Sequence, residues 1–112
     1  MSHSNLLKGR ALIALAILAS LLSFAKFNHC ENTGWATPDQ YIHACYSDLP
    51  SLYEARGLSS NQWPYASADN SVEYPVLTGV VMYLTSFAAN SPASYFNINM
   101  FFLVLLFLTT VL

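Results

Sequence analysis

Two carboxylates in the middle of the chain could do chemistry. Asp48 lies between aromatic and apolar residues, and a carboxylate in such surroundings could have a raised pKa and act as a general base. The alternative is structural, because Asp is among the best N-cap residues of a helix and Pro50 fits a helix start. Composition alone favours the cap, since caps are common and catalytic bases are rare. Glu73 is the second carboxylate, and its ordinary role would be to stabilise the N-terminus of a following helix.

Arg56 is the one cation between residues 28 and 73. Its guanidinium has a shape that binds phosphate through two parallel hydrogen bonds. The alternative is that Arg56 complements the C-terminal end of a helix dipole, or pairs with Glu54 at the surface. Residue types alone favour this second role.

Two cysteines lie in the same segment, Cys30 and Cys45. In an oxidising compartment they favour a disulfide. Closing a loop of about 15 residues in this way would stabilise the folded state by roughly 3 kcal/mol. Free thiols and a zinc site with the neighbouring His29 and His43 are the alternatives. We expect no metal site, because adjacent residues such as His29 and Cys30 do not easily present two ligands to one ion. We also expect no cofactor, since the chain has no Gly-rich phosphate loop.

The composition of the chain is that of a membrane protein. Of its 112 residues 54% are hydrophobic and only 9% are charged, whereas soluble domains carry roughly 25% charged residues. This excludes a soluble enzyme and a disordered tail, and the net charge of −2 excludes a nucleic-acid binder. The basic residues concentrate before residue 28, the acidic ones lie in 28–73, and 74–112 hold no charge.

Three apolar blocks predict an all-α integral membrane fold with three transmembrane helices. The basic amino end favours a cytoplasmic start by the positive-inside tendency. The predicted order is a cytoplasmic end and first membrane helix (1–27), an external loop (28–73), a second membrane helix (74–89), a cytoplasmic turn (90–94) and a truncated third membrane helix (95–112). The second block is short, because 16 residues span about 24 Å of a core that is roughly 30 Å thick.

The first block has a second interpretation as a signal peptide. It has a basic start, an apolar stretch, and Ser23, Phe24 and Ala25 as a small-x-small cleavage site. The membrane anchor is favoured because the rest of the chain is also apolar. At the other end, the chain stops inside an apolar run without a polar flank. We therefore expect an amino-terminal fragment of a longer multi-spanning protein.

Local signals predict short helices in the external loop. Thr37 followed by Pro38 and Gln40 predicts one helix start with a capping box. A second helix is predicted from about residue 48 to residue 56, ended by Gly57. Its apolar stripe has the helical spacing i, i+3, i+4 and comprises Leu49, Leu52 and Tyr53. Ser91 and Pro92 predict the N-cap and first position of the last helix.

Several short motifs follow the first apolar block. They are Asp48-Leu49-Pro50-Ser51-Leu52-Tyr53, then Gly57, Pro64-Tyr65 and Glu73-Tyr74-Pro75-Val76-Leu77. Together they resemble the first external loop of glycosyltransferase family 87. These enzymes are polyprenyl-phosphate-mannose-dependent mannosyltransferases of the GT-C type, and the chain is similar to the opening part of a bacterial integral-membrane subgroup. The chain departs from the family at Val76, where a second Pro is usual.

The resemblance implies a function and a set of site residues. It implies a multi-pass plasma-membrane hexosyltransferase that moves a sugar, mannose in the family, from a polyprenyl-phosphate donor to an envelope glycan or glycolipid. Asp48 matches the family's essential carboxylate, and Tyr53, Arg56 and Glu73 are expected to bind substrate. The fragment alone is expected to be inactive. The rival hypothesis is a non-enzymatic membrane protein of envelope assembly whose external loop binds another protein.

Overall fold

The computed structural model describes residues 3–33, 35–69 and 71–111, with side chains from residue 8 onward, and these residues contain helices and no strand. The predicted all-α class is therefore confirmed. The helices are α1 (His3–Thr33), α2 (Asp39–Ile42), α3 (Asp48–Ala55), α4 (Val76–Ser86) and α5 (Pro92–Val111), with one 3₁₀ turn at Leu58–Ser60.

Two of these helices are long and apolar enough to cross a membrane. They are the segment Lys8–Thr33 of α1, with 26 residues, and the whole of α5, with 20 residues. Only 11% and 17% of their most apolar windows are buried within the protein. Most of their apolar side chains are therefore left to contact an apolar surrounding such as lipid.

The second predicted membrane helix is shorter in the structure than the block 74–89. Helix α4 has 11 residues, which corresponds to about 16 Å of length. It begins after Pro75, whose extended backbone (ψ 148°) keeps it and Tyr74 outside the helix. At this length α4 is not among the helices that could span a membrane alone.

The chain divides into two compact units. The first comprises Met1–Cys45 and Phe102–Leu112, and the second Tyr46–Phe101. In the first unit, Cys30 and Cys45 form a disulfide with a Cα–Cα distance of 5.2 Å, which was the favoured one of the three alternatives. Helix α2 starts one residue later than the capping box predicts, because Pro38 and not Thr37 is the N-cap residue. The side-chain amide of Gln40 nevertheless donates to the Thr37 hydroxyl at 2.7 Å.

The second unit has an aromatic core. Tyr53 of α3 and Tyr95 of α5 stack with ring centroids 4.8 Å apart, and both side chains are buried. The Tyr95 hydroxyl donates to the carbonyl of Met82 in α4 at 3.2 Å, so the polar end of this ring is satisfied. The remaining core residues are Leu58, Val72 and Met82, with Leu49, Leu52, Tyr65 and Ala89 packed against them. The stripe predicted for α3 therefore faces the core.

Helix α3 begins and ends close to its predicted bounds. The Ser47 hydroxyl accepts a hydrogen bond from the Leu49 amide at 3.4 Å, so Ser47 and not Asp48 is the N-cap. At the other end, Gly57 has φ +70°, a left-handed conformation that residues with a Cβ adopt rarely. The start of α5 is confirmed as predicted, since the Ser91 hydroxyl accepts from the Ser94 amide at 3.1 Å and Pro92 follows the cap.

The segment before α4 is fastened to its first turn by Tyr65. The Tyr65 hydroxyl donates to the carbonyls of Tyr74 at 2.9 Å and Pro75 at 3.1 Å. Its ring lies directly on Gly79, where a Cβ would overlap the phenol. A glycine is therefore required at this position of α4 by close packing.

This contact predicts the effect of adding one methyl group. Gly79→Ala should lower the stability of the second unit by about 1–3 kcal/mol, because overpacking displaces the Tyr65 ring. Gly9→Ala is the matched control, since no atom lies within 4 Å of its Cβ position and alanine is the better helix former. Thermal unfolding in detergent, followed by tryptophan fluorescence, measures both. Equal midpoints for Gly79→Ala and the wild type would contradict the close packing.

Candidate functional site

Asp48 and Tyr74 form the centre of the candidate site. Because Ser47 caps α3, Asp48 occupies the first helical position and its carboxylate is not used for capping. The Tyr74 hydroxyl donates to Asp48 Oδ2 at 2.6 Å, across 26 positions of sequence. The cap role considered for Asp48 is therefore wrong.

The pKa of Asp48 is lowered from its ordinary value, and not raised as the sequence suggested. The main cause is the hydroxyl of Tyr46, which hydrogen-bonds the carboxylate, followed by the hydroxyl of Tyr74; desolvation acts weakly in the opposite direction. Hydrogen bonds to a carboxylate favour its charged form. Conversely, the pKa of Tyr74 is raised, chiefly because its hydroxyl donates to Asp48. Asp48 is thus ionised at neutral pH.

A cavity of about 340 Å³ adjoins this pair. That volume lies at the lower end of the range of small-molecule sites. Three of the four site residues predicted from the sequence come together here. The residues that line the cavity are Asp48, Leu52, Arg56, Glu73 and Tyr74. They combine two carboxylates, one guanidinium, a phenol and an apolar wall.

Arg56 lines the cavity from the end of α3, where it is the C-cap residue. Its Nε atom is buried and has no hydrogen-bond partner among the described residues. A buried donor without a partner costs free energy, of order 1–3 kcal/mol. The guanidinium therefore has hydrogen-bonding capacity that the described part of the chain does not use.

Tyr53 is corrected from a substrate-binding residue to a core residue. Its side chain is 4% exposed, its ring stacks on Tyr95, and its hydroxyl donates to the carbonyl of Ala89 at 3.2 Å. It does not line the cavity beside Asp48. The helical spacing of the α3 stripe already indicated this burial.

Two tyrosines of the site were missed as functional residues, Tyr46 and Tyr74. Tyr74 precedes Pro75, and the residue before a proline is restricted to extended conformations. It therefore lies outside α4, where its hydroxyl can reach α3. The Tyr74-Pro75 pair was therefore the signal from which the position of Tyr74 outside α4 could have been predicted. Nothing in the sequence indicated Tyr46.

No group of three or more His, Cys, Asp or Glu side chains within the described ranges is arranged to hold a metal ion. Both cysteines are joined in the disulfide and are therefore not free to act as ligands.

Comparison with known proteins gave no match: no family model, no curated protein and no solved structure resembles this chain significantly. The candidate site is therefore defined by its geometry alone.

The hydrogen bond between Tyr74 and Asp48 predicts a pH-dependent loss of stability in Tyr74→Phe. A carboxylate whose folded-state pKa is lowered contributes stability above its unfolded pKa of about 3.9, and this is lost as pH falls through the lower folded-state value. The variant should therefore unfold at a lower temperature than the wild type at pH 7, and the difference should shrink below about pH 4. Thermal unfolding between pH 2.5 and pH 7 tests this.

Tyr83→Phe is the control for that series. Tyr83 packs edge-to-face on Trp63 and Phe87, and it is not among the groups that hydrogen-bond Asp48. Any effect of its substitution should be independent of pH in the acidic range. A Tyr74→Phe difference that is equally large at pH 2.5 and pH 7 would contradict an ionised Asp48 acceptor.

Proposed function

We propose that the chain is part of a membrane glycosyltransferase that moves a hexose, mannose by the family resemblance, from a polyprenyl-phosphate donor to an envelope glycan or glycolipid. The observation that carries the proposal is the ionised Asp48 carboxylate at a cavity of about 340 Å³. Carboxylates that accept hydrogen bonds from sugar hydroxyls, beside an aromatic ring, are a common means of holding a carbohydrate. The proposal also depends on the resemblance of the loop motifs.

In the proposed reaction, Asp48 acts on the acceptor hydroxyl. The hydroxyl oxygen bonds to the anomeric carbon of the donor, the bond from that carbon to the phosphate oxygen breaks, and its electron pair leaves with the polyprenyl phosphate. The hydroxyl proton passes to Asp48. A carboxylate with a lowered pKa is a weak base. It can still accept this proton late, because the hydroxyl becomes acidic as its bond to an oxocarbenium-like carbon forms.

Arg56 and Glu73 are proposed to bind the substrates. The guanidinium of Arg56, which lines the cavity, can donate to a phosphate oxygen, and a guanidinium binds phosphate bidentately. Glu73 is exposed at the cavity edge and can accept hydrogen bonds from sugar hydroxyls. The membrane supplies the lipid-linked donor.

For the membrane topology, we propose that α4 lies outside the membrane in place of the three-span arrangement. Segment 46–73 binds both ends of this helix. Tyr65 bonds to the carbonyl of Pro75 at its start, and Tyr53 to the carbonyl of Ala89 just after its end. A membrane-crossing α4 would therefore take α3 into the lipid beside it. Since α3 carries Glu54 and is followed by Arg56, this would be costly.

The resulting topology has two membrane-embedded segments. The amino end with Lys8 and Arg10 is cytoplasmic, and α1 crosses the plasma membrane. The segment from residue 28 to Asn99, whose last part packs against α4 through Tyr95 and Asn99, is external, and the remainder of α5 enters the membrane. Asp48 and its cavity then face the extracytoplasmic side, where an envelope acceptor would be met.

The base assignment predicts that Asp48→Asn abolishes most transfer without unfolding the protein. The variant keeps the Ser47 cap, and its amide oxygen can still accept from Tyr74, but it cannot take up the proton. We expect sugar transfer to fall by roughly 10²-fold or more, the contribution of a positioned base. The measurement is transfer from a polyprenyl-phosphate sugar in membranes that contain the full-length protein, together with its thermal midpoint.

Asp69→Asn is the matched control, because it makes the same chemical change at an exposed loop residue outside the cavity. It should transfer sugar at the wild-type rate. Wild-type transfer by Asp48→Asn would refute the base assignment. Joint loss of folding and activity would favour a structural role for Asp48, and an inactive wild type would favour the non-enzymatic rival.

The topology predicts which side of the membrane exposes Asn90. In the oxidised chain the native cysteines are joined in the disulfide, so a single introduced cysteine can be labelled selectively. Asn90→Cys should react with a membrane-impermeant maleimide in intact cells, as should Asp69→Cys, the external reference. Gly9→Cys should react only after permeabilisation. If Asn90→Cys behaved like Gly9→Cys, α4 would be a membrane span.

A further inference from the structure

Two histidines from separate parts of the first unit meet at its surface. His29 lies in the last turns of α1, and His43 is the C-cap residue of α2. His29 Nε2 and His43 Nδ1 are 3.2 Å apart. Both side chains are exposed, so the space beside the two nitrogens is open to solvent and to ions.

Covalent and polar contacts hold the two rings together. The disulfide joins Cys30, the neighbour of His29, to Cys45, two residues after His43. The Lys26 amine donates to the carbonyl of His43, which fastens the same backbone to α1. The rings themselves pack edge-to-face with centroids 4.9 Å apart and an angle of 65° between their planes.

We propose that His29 and His43 form a binding site for a divalent transition metal ion. Imidazole nitrogens bind Zn²⁺ at about 2.0–2.1 Å, so two nitrogens on a tetrahedral ion are separated by about 3.3 Å. The observed 3.2 Å between Nε2 and Nδ1 is therefore the separation that two ligands of one ion adopt. The protein provides two ligands, and water or another small ligand completes the coordination.

The donor set selects the class of metal. Neutral imidazole suits Zn²⁺, Ni²⁺ and Cu²⁺ and not the oxygen-preferring Mg²⁺ or Ca²⁺. Without an ion, the same two nitrogens share one N–H as a hydrogen bond. Binding requires that the donor ring move this proton to its other nitrogen. The Lys26 ammonium next to His43 adds like charge, which weakens the site compared with an isolated pair.

Disulfide formation is what distinguishes this site from the zinc site considered in the sequence. There, adjacent ligands such as His29 and Cys30 were unsuitable. Here the cysteines are consumed by the crosslink, and the two ligands come from the two segments that it joins. The site does not depend on the proposed glycosyltransferase activity, since none of its residues line the Asp48 cavity.

The experiment measures Cu²⁺ and Ni²⁺ binding to the untagged, oxidised chain in detergent by titration calorimetry. Cu²⁺ should bind more tightly than Ni²⁺, in the order expected for nitrogen ligands. We expect one ion per chain, and affinities at least 10-fold lower in His29→Gln and in His43→Gln. His3→Gln is the matched control, because it removes the third histidine of the sequence and leaves the pair intact. Electron paramagnetic resonance of the Cu²⁺ complex should show two imidazole nitrogens.

Each outcome decides the proposal. Loss of affinity in both pair variants with retention in His3→Gln supports it, as does a two-nitrogen spectrum. No binding by the wild type at millimolar metal overturns it. Equal affinity in the wild type and the pair variants, or a spectrum with one nitrogen, also overturns it. If one variant fails to fold, as judged by circular dichroism, the spectrum of the wild type still gives the answer.

Discussion

The hydrogen bonds between two tyrosine hydroxyls and the backbone at the two ends of α4 are the constraint on which the second unit depends. The carboxyl-terminal end of a helix leaves backbone carbonyls without partners, whereas the Pro75 carbonyl at the amino-terminal end of α4 also accepts from the Gly79 amide at 3.1 Å. Tyr65 donates to the carbonyl of Pro75 before the first turn, and Tyr53 donates to the carbonyl of Ala89 after the last. These bonds, together with the stacking of Tyr53 on Tyr95, align segment 46–73 with a helix of only 11 residues. One side of α4, with Gly79 and Met82, is therefore covered by the rest of the second unit, whereas Val76, Leu77 and Leu84 on the helix stay exposed.

The candidate site follows from this alignment. Because the 3₁₀ turn at Leu58–Ser60 contacts both α3 and α4, the first residue of α3 comes next to the residue that precedes Pro75, and Asp48 meets Tyr74. Asp48 and Tyr74 are 26 positions apart in the sequence. Their side chains meet only because the fold of the second unit brings the two segments together. The carboxylate is kept ionised by phenols and not by a cation. Its charge is therefore stabilised locally while the guanidinium of Arg56 stays available.

Local signals in the sequence predicted α3 and the start of α5, because capping residues and a left-handed glycine act within a few positions. The block 74–89 was misjudged in length, since hydropathy measures apolar content and does not reveal that Pro75 delays the helix. The disulfide was favoured from the sequence because both cysteines lie in a segment that was expected to face an oxidising compartment. The lowered pKa of Asp48 was not predicted: its main cause, the hydroxyl of Tyr46, is only two positions away but no sequence signal indicated that it bonds the carboxylate, and the second donor, Tyr74, is 26 positions away. Tyr53 was predicted to bind substrate, although it belongs to the apolar stripe of α3. Its side chain is buried in the core, as membership of that stripe indicates.

The charges around the cavity bear on which substrate it would hold. Asp48 and Glu73 bring two negative charges and Arg56 one positive charge, so an anionic phosphate would meet net repulsion on entering fully. A neutral, hydroxyl-rich acceptor would meet two hydrogen-bond acceptors and one donor, beside the Tyr74 ring and the apolar wall of Leu52. The proposed assignment that suits this balance is an acceptor site at Asp48, with the donor phosphate approaching only the side formed by Arg56. In that arrangement the negative charge that repels phosphate is the same charge that takes the acceptor's proton.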